Sequence, residues 1–185
     1  MSYDLYSYRP SVATPSREDA LAVISSEEDA TFRDDDKARA IKQRIAAALI
    51  ERNYRLERFE IDFARVCESQ NISLEEARAR LNHIELNPPD GELAIQLRIH
   101  WNHVSLEFPY WYSGSQRDAV FNLALEYLQL IKKVEGFFAY DPQTDAAFDP
   151  KDIESLDHSE YSRIVENLPA IIAQGEAKKP WWKFW

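Results

Sequence analysis

Cysteine is nearly missing from this chain: Cys67 is the only one in 185 residues, so no intramolecular disulfide can form. That usage fits a reducing compartment, where packing rather than cross-linking holds a fold together. Glycine is scarce as well, with four residues. A loop that cradles phosphates with its backbone amides therefore has little to be built from. No G-x-S-x-G or H-E-x-x-H pattern occurs, which removes the common motif-borne hydrolases. No apolar run approaches the roughly 18 residues that a membrane span requires. The opening MSYDLYSYRP has neither the basic nor the apolar part of a signal peptide, and the expected location is cytoplasmic. Positive charge is in deficit, with 22 Lys and Arg against 32 Asp and Glu and a formal net charge of -10. Such a field repels phosphate backbones and argues against nucleic-acid binding. It suits either plain solubility or a basic partner.

What the chain does have is enough apolar material to fold. Hydrophobic residues make up 45% and aromatics 12%, well outside the range of disordered segments. SYDLYSY alternates and reads as a first strand. In TPSREDALAVISS, Thr14 stands as N-cap and Pro15 as first helical residue of a short helix. KARAIKQRIAAALIERN places Ala38, Ile41, Ile45, Ala48 and Leu49 on one helical face. Ser73 precedes Glu76 by three residues, a capping-box signature for another helix. The period then changes from helical to alternating. HIELNPPDGELAIQLRIHWNHVSLEFPYW reads as a meander of three antiparallel strands joined by turns at PPDG and WNHV. SGSQRDAVFNLALEYLQLIKKVEG is a long amphipathic helix closed by Gly136, with Ala119, Leu123, Tyr127, Leu130 and Ile131 as its buried stripe. FFAYD follows as a strand, and SEYSRIVENLPAIIAQ as a helix interrupted at Pro169. The expected class is α+β: an antiparallel sheet packed by several helices, with one domain over residues 1–174 and an aromatic-basic tail over 175–185.

Four places could carry chemistry. Asp141, between Tyr140 and Pro142, is either an acid or the first residue of an Asx-turn. It has no partner acid or histidine nearby in sequence, so the turn is preferred. His100 and His103 in HWNH could face each other across a hairpin, but zinc needs three or four ligands, and His83 and Cys67 stand at unhelpful spacing. Two histidines on a polar face, and Cys67 in the core, are the expectation. FPYWYSG gathers Phe108, Tyr110, Trp111 and Tyr112 as either core or an exposed platform. EEDATFRDDDK carries six acids against two bases. Asp34, Asp35 and Asp36 there read as helix N-terminal acids or as contacts for a basic partner. No catalytic residue, cofactor or metal site is expected. The tail EAKKPWWKFW sets Trp181, Trp182, Phe184 and Trp185 among lysines and invites burial on this domain, on a second subunit or at a membrane surface.

MSYDLYSY, then LAIQLRIHWNHVSLEFPYW, then VEGFFAYDPQT occur in that order. Taken together they resemble a loose class of small bacterial immunity proteins encoded beside secreted (polymorphic or type VI) toxins. The resemblance covers about two thirds of the chain and leaves residues 62–82 and the tail unmatched. It implies a cytoplasmic, non-catalytic protein that neutralises a toxin domain by protein–protein contact. On that reading Asp34, Asp35, Asp36, Tyr110, Trp111 and Tyr112 touch the partner, and the acidic surface steers a basic cleft toward them. The competing expectation is a non-catalytic structural or adaptor protein that self-associates, as a homodimer, or docks through its aromatic tail.

Overall fold

The computed structural model describes residues 2–25, 35–154, 156–163 and 165–166. It is α+β, built on a seven-stranded sheet in which every neighbouring pair is antiparallel. In chain order the strands are β1 (Ser2–Tyr8), β2 (Glu57–Arg58), β3 (Ile84–Asn87), β4 (Gln96–Ile99), β5 (His103–Pro109), β6 (Phe138–Asp141) and β7 (Ala146–Phe148). In space they run β2-β3-β4-β5-β1-β6-β7. The first strand thus lies inside the sheet, paired to β5 from Ser2↔Pro109 to Tyr8↔His103 and to β6 around Ser7↔Ala139.

Five α-helices are fully described: α1 (Arg17–Ser25), α2 (Asp36–Arg52), α3 (Phe63–Gln70), α4 (Leu74–Arg80) and α5 (Gly114–Glu135). Their starts are written in short polar side chains. Asp35 accepts from Ala38 N at 2.7 Å, Asp62 from Arg65 N at 3.1 Å and Ser73 from Glu76 N at 3.1 Å. Each satisfies an amide that the helix itself leaves unpaired. At α1 the cap is Ser16, whose hydroxyl accepts from Asp19 N at 3.1 Å. The helix therefore begins later than Thr14 and Pro15 suggested. α5 ends at Gly136, whose φ of 76° is the left-handed conformation a C-cap needs.

Helices α2 and α5 pack together and cover one face of the sheet. The inward side chains alternate along each strand, as the pleat requires: Tyr3 and Leu5, Leu97 and Ile99, Val104, Leu106 and Phe108 are all buried. Tyr3, Phe108, Phe121 and Tyr161 form an aromatic knot, with ring centroids 5.2 to 6.1 Å apart. On α5 the buried stripe is Val120, Phe121, Ala124, Leu125, Tyr127, Leu128 and Ile131. Ala119, expected in it, is exposed. Cys67 is half-buried rather than core, on a helix with no fully buried residue.

The opposite face of the sheet is covered only in part. α1 packs on its β1–β6 side, where Tyr8, Ala20, Phe138 and Tyr140 make a second, smaller core. Residues 159–163 are helical, and Tyr161 ties them to the end of β5 by donating to Pro109 O at 2.8 Å.

Candidate functional site

The uncovered part of the second face is defined by ladder register. One row runs Tyr6, Ser105, Arg98, Glu85 across β1, β5, β4 and β3. The next runs Asp4, Glu107, Gln96. Because successive residues point to opposite faces, these polar side chains share the side away from the main core. Phe59, Ile61, Val66 and Leu81 wall one cavity of about 450 Å³ over His83, Glu85 and Arg98. A second, of about 440 Å³, opens toward Pro88, Ala94, Pro109 and Trp111. Gln96 and Glu107 line both, so the two cavities form one groove.

Its floor carries two carboxylates, Glu85 and Glu107, beside the guanidinium of Arg98. Arg98 pairs through Nη2 with Oε1 of Glu107. The Nε of Arg98 is buried and has no hydrogen-bond partner among the described residues. Glu85 accepts from Asn87 Nδ2 at 2.9 Å and from Gln96 Nε2 at 2.7 Å. Asp4 stands directly opposite Glu107 in the ladder, a like-charge pairing that is unfavourable unless a cation lies close. Burial raises the Asp4 carboxyl above its ordinary range, while the Ser2 hydrogen bond and Arg98 pull the other way.

Beside this floor three imidazoles stack. The ring centroids of His83 and His100 are 5.1 Å apart, and those of His100 and His103 are 4.3 Å apart at an interplanar angle of 11°. His100 and His103 stand on the polar side of the sheet, His100 half-buried and His103 1% exposed. Burial, then the neighbouring rings and Arg98, pushes His100 down to about 2. Burial followed by Arg98 pushes His103 down to about 4. His83 is lowered too, chiefly by burial, with Glu85 opposing. His100 and His103 lie in near-parallel planes, whereas His83 is tilted by 31° to His100. Among the described residues no group of three or more His, Cys, Asp or Glu is placed to hold a metal. Sequence spacing set His83 aside. Its place in the stack follows from the β3–β4 pairing of Ile84 with Ile99.

Of the six residues expected to touch a partner, the five described ones do not form one patch. Asp34 lies outside the described residues. Asp35 caps α2. Asp36 is 98% exposed at its side chain and pairs with Arg39 at 2.6 Å. Tyr110 and Tyr112 are each 6% exposed and belong to the core. Tyr110 stacks on Tyr161 at 5.1 Å, and the Tyr112 hydroxyl accepts from Ala94 N at 2.6 Å. Of the three aromatic residues expected to touch a partner, only Trp111 is exposed, at 71%. The strand ends at Pro109, and in the turn that follows the rings of Tyr110 and Tyr112 pack inward while that of Trp111 turns out. Trp111 shares its cavity with Ser2 and Pro109, at one end of β1, whereas Lys37, next to Asp36, shares a cavity with Arg9 and Asn102 at the other. The tail over 175–185 lies outside the described residues.

No family model, curated protein or solved structure matches the chain. No helix among the described residues is long and apolar enough to cross a membrane.

Proposed function

We propose that this chain is a cytoplasmic binding protein that neutralises a bacterial toxin domain by contact, as its resemblance to immunity proteins implies. The observation that carries this reading is the groove on the second sheet face, with the carboxylates Glu85 and Glu107 on its floor and an exposed Trp111 at its lip. Exposed tryptophan beside a half-buried polar floor is a composition that favours a protein interface. A net charge of -10 raises the encounter rate with a basic partner and suppresses contact with nucleic acid.

The test is co-expression with the toxic domain encoded beside this chain. Protection of the cells, with a complex recovered by size exclusion and light scattering, is the expected result. Continued killing with no complex sinks the reading. A mass of two copies of this chain without the toxin domain favours the adaptor instead.

A further inference from the structure

We propose that the Trp111 end of the groove is a receptor for one arginine side chain projecting from the protein partner, an assignment that rests on the binding function above. The cavity there has a volume of about 440 Å³, with Pro88, Ala94 and Pro109 as apolar walls, Glu107 and Gln96 at its floor and Trp111 at its edge. That order of surfaces matches an arginine from stem to tip. The methylenes lie along apolar walls, the guanidinium plane stacks on an indole, and its forked donors meet a carboxylate and an amide oxygen.

Three further observations favour a cation. Both protein contacts to the Glu107 carboxylate, from Arg98 and from Ser105, fall on Oε1, so Oε2 carries no hydrogen bond to the described residues. Asp4 faces Glu107 directly across the ladder, and one more positive charge relieves that juxtaposition. Arg98 lines the neighbouring cavity and not this one, so an anion entering past Trp111 meets Glu107 first. Arginine is preferred to lysine because its planar, weakly hydrated head stacks and binds in fork geometry, whereas an ammonium keeps its water.

The probe is a blocked tripeptide, acetyl-Ala-Arg-Ala-amide, titrated into the isotopically labelled full chain, with the Trp111 indole resonance assigned through Trp111→Phe. Saturable shifts at Trp111 and at the Gln96 side-chain amide are expected. The citrulline counterpart, which keeps the shape and loses the charge, should bind about ten-fold more weakly, the usual cost of losing a charged hydrogen bond. Glu107→Gln should weaken the arginine peptide to a similar degree. Trp111→Ala tests the same pocket without touching the Arg98–Glu107 pair, and should also weaken it; a melting temperature close to that of the wild type shows that the loss of its edge contact with Tyr112 leaves the fold intact. Absence of saturable shifts, or equal binding of arginine and citrulline peptides, overturns the assignment. So do shifts that track protein concentration alone, which mark the groove as a contact between two copies. Protection in cells separates the two proposals. Full protection by both Trp111→Ala and Glu107→Gln overturns the arginine receptor and leaves the toxin-neutralising reading standing. Arginine-selective binding by a wild-type chain that gives no protection does the reverse.

Discussion

The hydroxyl of Tyr3 donates to Oδ2 of Asp141 across 2.6 Å, joining the first strand to the last hairpin inside the core. The other oxygen of Asp141 accepts from the backbone of Gln143 at 2.8 Å and of Thr144 at 3.4 Å, an Asx-turn. Both oxygens are thus engaged in structure, and the side chain is buried. Burial, then the Asp141 carboxylate, pushes the Tyr3 phenol up, so the proton stays on tyrosine and the bond is charge-assisted. Tyr3→Phe strands a buried carboxylate oxygen and should cost about 1–3 kcal/mol. The measurement is a lower urea midpoint at an unchanged slope. An unchanged midpoint contradicts this account.

The histidine stack makes stability depend on pH in a stated direction. Folding lowers the pKa values of His83, His100 and His103. The unfolded chain therefore takes up protons first as pH falls below about 6.5, and the folded state loses ground. Stability is full above that pH. It declines as pH drops toward about 4 for His103 and about 2 for His100. The slope is about 1.4 kcal/mol per pH unit for each histidine that stays neutral only in the fold. Denaturant midpoints between pH 7 and 4.5 should fall in the wild type and much less in His100→Gln/His103→Gln. Parallel slopes for the two proteins would rule out the stack as the cause.

Asp35 and Asp36 are neighbours with different jobs. Asp35→Ala removes the N-cap of α2 and should cost about 1 kcal/mol. Asp36 lies at the surface, paired with an Arg39 that is itself half exposed. Its replacement by Ala should change stability by less than about 0.5 kcal/mol. Thermal melts of the two single variants check this. A charge-reversal test of partner steering therefore belongs at Asp36, because reversal at Asp35 also disturbs a helix start.

Tyr161 is a latch on the end of β5. Its hydroxyl donates to Pro109 O at 2.8 Å and receives Tyr112 N at 3.0 Å. Tyr161→Phe keeps the ring packing and loses both bonds, leaving a buried amide unpaired. A loss of about 1–3 kcal/mol is expected. Faster exchange of the Tyr112 amide should accompany it. A Tyr112 amide as protected as before would show that the latch is not formed by that hydroxyl.

Much of the architecture was legible because local chemistry and global packing agree. SYDLYSY alternates and is β1, Ser73 caps α4, and Gly136 ends α5 in a long helix. The β6–β7 hairpin was not anticipated. Its turn contains Asp145 at φ 55°, and β7 is only three residues long, too short for period to declare itself. The groove was illegible for a different reason. Asp4, Glu107, Gln96, Arg98 and Glu85 are scattered along the chain, and only the strand register makes them neighbours. Burial of Tyr110 and Tyr112 was equally out of reach, because core and surface aromatics have the same composition. Only the place of the strand's end decides which ring turns inward.

The interior position of β1 has a consequence for how the protein is made. Its hydrogen-bonding edges face β5 on one side and β6 on the other, so the pairing of this strand waits for segments that lie far along the chain. Until Pro109 and Tyr140 have been synthesised, Tyr3, Tyr6 and Tyr8 travel on an unpartnered strand. Such distant pairings fold slowly, and the nascent chain is most exposed to sticking and to holdase chaperones during that interval.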